Sequence, residues 1–135
     1  MSAQSVSVIR HFLAFDYGLK RVGVATGNSL TRQAQPLRTA AAEGAERFAQ
    51  IGQLIEEGRP DALVIGVPFH PDGAEHENTL RARKFGAQLR GRFHLPVHEV
   101  DERYSTTEAQ GFGAQDLDAA SAAILLQQYF NDHPG

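Results

Sequence analysis

The sequence predicts an α/β fold in which a mixed sheet carries helices on its faces. Three observations predict it. Two short apolar runs, "HFLAFDY" and "RVGVATG", stand on either side of Gly18-Leu19-Lys20 as the arms of a hairpin stand about their turn. "ALVIGVP" is continuously apolar, as a strand covered on both faces is. From Glu43 onward, helical stripes alternate with strands, so the order is β-β-β-α-β-α-β-α, three strands that can meander followed by strand–helix units.

Each element has its own signal. "AQPLRTA" reads as a third, shorter strand, because Pro36 can begin an edge strand but cannot sit inside a central one. Residues Glu43 to Glu57 place Phe48, Ile51, Leu54 and Ile55 at three- and four-residue spacing before Gly58 and Pro60, an amphipathic helix with a stop signal. "HPDGAEHEN" is a loop. "NTLRARKFGAQLRGRF" puts Leu80, Phe85 and Leu89 on a helical stripe with cations around it, and "LPVHEVDE" is a strand alternating Val97, Glu99 and Asp101 against His98, Val100 and Glu102. Ser105 with Glu108 has capping-box spacing, Asp116 is a plausible N-cap, and Leu117 to Leu126 is apolar all round, the mark of a helix packed into the body of the protein.

With 135 residues, 41% apolar and 21% charged, the chain is expected to form one globular domain over 1–135, with about 1–8 and 132–135 as flexible termini. There is no cysteine, which excludes disulfides and thiolate metal sites. "MSAQSVSVIRH" lacks a signal-peptide core, and no run approaches the roughly 20 apolar residues that span a bilayer, so the expected setting is the cytoplasm with no membrane partner. Net charge is -3, which does not by itself advertise a nucleic-acid binder. The distribution says more. Tyr17 to Ala42 carries Lys20, Arg21, Arg32 and Arg38 without an acid, and Asn78 to Val97 carries Arg81, Arg83, Lys84, Arg90 and Arg92 without one. Two acid-free basic segments in so small a chain make a polyanion a partner to consider, although such a run also describes an ordinary solvated face.

Acids stand in three unusual places. Asp16 ends the first strand, Asp101-Glu102 ends the last, and Asp118 lies in the first turn of the final helix. Each has an ordinary explanation: Asp16 in a turn, Asp101 or Glu102 paired with Arg103, Asp118 complementing the helix dipole. Together they are less ordinary, because ligands of open α/β sheets bind beyond the carboxyl ends of parallel strands, and ionised groups out of water need partners. Oxygen ligands without cysteine or a zinc-spaced histidine pair suit a hard cation, Mg²⁺ or Mn²⁺, of the kind that serves in phosphodiester hydrolysis. His70, in "VPFHPDG", follows the fourth strand closely enough to touch substrate or shuttle a proton. No dinucleotide, Walker or nucleophile-elbow motif is present.

"LAFDYGLKRVGVATG", "ALVIGVPFHPDG", "RARKFGAQLRGRF", "VHEVDERYSTTEAQ" and "DLDAASAAILLQQYF" together resemble the YqgF family, also called RuvX-like, of bacterial RNase H-fold proteins, in order from about residue 11 to residue 131. The resemblance implies an RNase H-like, five-stranded mixed sheet of order 3-2-1-4-5 with strand 2 antiparallel. It implies a nuclease that processes the 5′ end of precursor 16S rRNA, with Holliday-junction resolution as the family's older proposal. The family's acids fall on Asp16, Glu102, with Asp101 beside it as an accessory, and Asp118. "PFHPDG" has His70 where the family usually has asparagine, and "QGFGAQ" is shorter than the family's partly basic segment before the last helix.

The leading expectation is therefore a metal-dependent endonuclease acting on structured RNA, with Asp16, Glu102 and Asp118 as catalytic and metal-binding residues, and two ions held with substrate bound. Lys20, Arg21, Arg81, Arg83, Lys84 and Arg103 are the expected phosphate contacts, and the chain is expected as a monomer or weak dimer. The alternatives are a resolvase-like DNase on branched DNA, and a non-catalytic rRNA-binding assembly factor. An actin-like or sugar-kinase-like ATPase shares the opening Asp-x-Gly hairpin, but so short a chain lacks the second half that encloses a nucleotide.

Overall fold

A computed structural model describes residues 9–40, 43–75, 77–102 and 117–133. The elements are β1 (His11–Tyr17), β2 (Val22–Asn28), β3 (Gln35–Ala40), α1 (Gly44–Gly58), β4 (Ala62–Val67), α2 (Glu77–Phe93), β5 (Val97–Asp101) and α3 (Leu117–Asp132). Ser105, Glu108, Asp116, Arg103 and the "QGFGAQ" segment lie outside the described residues.

One sheet runs β3-β2-β1-β4-β5. β2 is antiparallel to β1, β3 is antiparallel to β2, and β4 and β5 run parallel to β1. This is the expected RNase H-like order, and its parallel β1, β4 and β5 end on one edge. β3 is an edge strand, with Pro36 beside a register shift at Val24/Ala25, where a missing N–H leaves no central ladder broken.

Period-two alternation sends the two faces of the sheet to different helices. Leu13 and Phe15 of β1, Val22 and Val24 of β2 and Leu63, Ile65 and Val67 of β4 pack with Ile51 and Leu54 of α1 and Phe85 and Leu89 of α2. Phe12 and Ala14, Ala25, and Ala62 and Val64 pack instead with Ala122, Ala123, Leu125 and Leu126 of α3. Each large side chain so buried contributes about 1.5–3 kcal/mol. The α3 face is paved with small residues, and α3 answers with alanines, so its backbone approaches the sheet closely. Its nine buried residues, from Ala119 to Phe130, account for a segment that is apolar all round. Asp132 is the last residue of α3, and His133 stacks on Tyr129 with ring centroids 4.3 Å apart.

α2 corrects one expectation. Its buried face is Thr79, Ala82, Phe85, Gly86 and Leu89, and Leu80 is 59% exposed. The Thr79 hydroxyl donates to the Pro68 carbonyl, which pins the first turn with position 79 inward and turns Leu80, a third of a turn on, to solvent.

Candidate active site

Asp16 is the first charge after four buried residues of β1, and it shares the α3 face with Phe12 and Ala14. Directly across the β1–β2 ladder stands Gly23. A side chain there would overlap the backbone carbonyl of Asp118, so glycine is what lets the first turn of α3 rest against the sheet beside Asp16. On the other flank, Gly66 of β4 pairs with Val100 of β5. A Cβ at Gly66 would lie 2.7 Å from Glu102 Oε1 and 2.5 Å from Leu125 Cδ1. The two glycines clear the space on either side of Asp16, one for α3 and one for Glu102. Gly66 was missed from the sequence, although a lone glycine inside "ALVIGVP" is the signal that a neighbour comes close.

Glu102 follows β5 with the parity of Val100, which packs under α3, and it meets Asp16 in a side-chain hydrogen bond. The Glu102 carboxyl is pushed up to about 9, chiefly by burial, then by the bond to Asp16 and by the charges of Asp16 and Asp101. Asp16 is raised as well, by burial first and by the charge of Asp118, with the Glu102 hydrogen bond pulling the other way. At neutral pH Glu102 thus carries the proton and donates it to the Asp16 carboxylate. Asp101, one residue earlier, alternates toward the α2 face with Val97 and Glu99.

Asp118 reaches the same neighbourhood from α3, but a cation holds it. Arg21 Nε lies 3.1 Å from Asp118 Oδ2. Gly18, Leu19, Lys20, Arg21 and Asp118 line a cavity of about 440 Å³ there. Its wall is the β1–β2 turn, which a residue not singled out from the sequence braces: Arg47 of α1, 6% exposed, donates to the Leu19 carbonyl at 2.8 Å and lies 5.4 Å from the centroid of the Tyr17 ring. Arg47 carries no signal of its own in the sequence, and only the fold shows the turn bending over it.

The α2 cations differ among themselves. Arg81 bonds Glu77 at 2.7 Å and Asn78 at 3.2 Å. Arg83 is bonded to Glu75, lies 3.4 Å from Glu99 Oε2 and covers the Phe69 ring. The segment is acid-free along the chain but not in space, because acids arrive from just before it and from β5. Lys84 is exposed. His70 is exposed in a tight loop after β4, its N–H donating to the Ala74 carbonyl and its carbonyl accepting from Gly73. Arg103 lies outside the described residues.

Among the described residues, no group of three or more His, Asp or Glu stands together as a metal cage. The donor chemistry nevertheless fits a hard divalent cation: two half-buried carboxyls in contact, oxygen ligands only, and no ion pair of Asp16 with a described cation. Those two share a proton where a cation would let both ionise.

Residues 10–132 match the family model described as RuvX, Holliday junction resolvase. The chain belongs to the RuvX family. It is 64% identical over 121 residues to an Albidiferax ferrireducens protein named "Putative pre-16S rRNA nuclease", a match covering 90% of this chain and 78% of that one. A Polaromonas protein of the same name is 62% identical over 126 residues, covering 93% of this chain and 91% of its own. Among solved structures, Thermus thermophilus RuvC in complex with a Holliday junction substrate superposes with a TM-score of 0.60 at 16% identity, over 93% of this chain and 96% of that one. That likeness is one of fold, and it agrees with the RNase H-like sheet order of this RuvX-family chain. Among the described residues, no helix is long and apolar enough to cross a membrane.

Proposed function

We propose that this RuvX-family chain is a hydrolase acting on ester bonds, a nuclease that cuts phosphodiester bonds in structured nucleic acid, with precursor 16S rRNA as its substrate. The observation that carries this reading is the hydrogen-bonded Asp16–Glu102 pair, half-buried where the parallel strands end. The names of its close relatives supply the substrate.

Asp16 and Glu102 would hold Mg²⁺ or Mn²⁺, with Asp118 completing the set and two ions held when substrate is bound. Such an ion supplies a water activated near neutral pH and positive charge for the leaving oxygen. The chain's own residues do the rest. Before both carboxyls can serve as ligands, Glu102 must release to solvent the proton it donates to Asp16. Gly23 and Gly66 keep the carboxyls accessible to one another across three strands. Lys20 and Arg21, on a turn braced by Arg47, face the mouth of the site, where they can grip phosphates, and Lys84 extends the basic surface. Asp101 acts by raising the charge density at Glu102. His70 stands on the same sheet edge as an accessory contact, and the protein works in the cytoplasm as a monomer or weak dimer.

The family's description favours a second substrate, a four-way DNA junction, cut by the same carboxyls. Cleavage of precursor 16S RNA and of a DNA junction by the parent and by Asp16→Asn, with and without Mg²⁺, tests both.

A further inference from the structure

The third carboxylate of the proposed metal site is not waiting for a metal. Asp118 is paired with Arg21, and Arg21 belongs to the β1–β2 turn that lines the cavity beside Asp118. The Arg21 side chain is 65% exposed and that of Asp118 is 37% exposed, so the pair sits at the mouth of the site, where solvent and ligands reach it. Asp16 and Glu102 are bonded to each other meanwhile, and no three acids stand together as a cage among the described residues. The same guanidinium therefore has two competing acceptors: the Asp118 carboxylate in the free protein, and a phosphate once nucleic acid is bound. Arginine suits such an exchange, because its planar fork matches carboxylate and phosphate alike.

We propose that Arg21 is an exchangeable counter-ion that holds Asp118 in the free protein and passes to a nucleic-acid phosphate on binding, which releases Asp118 to the metal. Metal and nucleic acid then bind cooperatively, each favouring the state in which Arg21 has let go of Asp118, and the coupling is reciprocal. The proposal rests on the reading of Asp16, Glu102 and Asp118 as the metal site. Its size is bounded by the contact. An exposed ion pair supports a change in metal affinity of about two- to fivefold.

The test is Mn²⁺ binding by calorimetry to the full chain without nucleic acid, comparing the parent, Arg21→Gln and Lys20→Gln. Lys20→Gln removes the same charge from the same turn, but Lys20 forms no ion pair among the described residues. The expected result is Mn²⁺ binding about two- to fivefold tighter in Arg21→Gln than in the parent, with Lys20→Gln close to the parent. Equal affinity in all three overturns the latch, and so does equal tightening in both variants, which would reflect charge at a distance rather than the Asp118 contact. No Mn²⁺ binding by any of the three overturns the metal reading itself and the latch with it. A second readout is anisotropy of a labelled RNA hairpin. Mn²⁺ should strengthen RNA binding more for the parent than for Arg21→Gln, and an equal Mn²⁺ effect on both overturns the coupling.

Discussion

Gly23 of β2 faces Asp16 of β1 in register, and the carbonyl of Asp118 occupies the place where a side chain at Gly23 would be. One missing Cβ therefore sets how near the first turn of α3 lies to the strand-end carboxylate. Gly23→Ala should force α3 off the sheet, because the obstacle is backbone and cannot rotate away. The expected loss is about 1–3 kcal/mol in chemical denaturation, with a larger fall in cleavage than stability alone explains. Gly91→Ala is the contrasting case. Gly91 lies inside α2, and a Cβ there meets nothing within 4 Å, so this variant should gain about 0.5–1 kcal/mol.

The Asp16–Glu102 pair gives the metal-free protein a pH dependence of known sign. The Glu102 carboxyl is raised from 4.5 to about 9, so the folded chain keeps a proton that the unfolded chain gives up. The stability this contributes is complete below the unfolded value and is lost as pH rises through the folded one. In EDTA, the urea midpoint of the parent should fall from pH 5 to pH 9, and Asp16, also raised, adds a dependence of the same sign. Glu102→Gln keeps the hydrogen-bond donor without the titration. A midpoint in that variant that falls as steeply as the parent's would contradict the assignment of the proton to Glu102.

Arg47 is a positioning residue for the turn that carries Lys20 and Arg21. Arg47→Met keeps much of the packing against Tyr17 but leaves the Leu19 carbonyl without its donor. It should lower stability by about 1.5–3 kcal/mol, the range for hydrogen bonds to charged groups. It should also raise KM for nucleic acid more than it lowers kcat, since the carboxylates remain in place. A fall confined to kcat would show that the brace acts elsewhere.

Much of this site was legible in the sequence, and the reasons are local. Asp16 announced itself by ending an apolar run, and the two-residue alternation in "VHEVDE" already put Glu102 with Val100 and Asp101 with Glu99. Period and adjacency are properties of a segment, so they survive without a structure. What was not legible depends on chain crossings. Arg83 looked free in an acid-free segment, yet Glu75 and Glu99 reach it from either side of α2. Arg47 has nothing local in the α1 segment to mark it, and its contact depends on the β1–β2 turn folding over it. Leu80 looked like core because its spacing to Phe85 and Leu89 was near helical, whereas the bond from Thr79 to Pro68 rotated the inward face by one residue.

The α2 cations should separate by the same logic. Lys84 is exposed, and Lys84→Gln should weaken nucleic-acid binding and reduce the slope of log K against log salt by about 1. Arg83→Gln should change that slope less and stability more, because it unties Glu75 and Glu99 and uncovers Phe69. Anisotropy titrations from low to moderate salt read the first effect, and urea denaturation reads the second.

In the proposed function, the half-buried carboxyl pair at the strand ends drives metal-dependent cleavage. The most direct measurement incubates the parent and Asp16→Asn with precursor 16S RNA and with a four-way DNA junction, with Mg²⁺ and in EDTA, after circular dichroism has shown both proteins folded. The expected result is cleavage of the RNA by the parent in Mg²⁺ only, and at least a hundredfold less by Asp16→Asn, on the order of what loss of one transition-state contact removes. Equal cleavage by both proteins, or RNA binding with no cleavage by the parent in Mg²⁺, would contradict it.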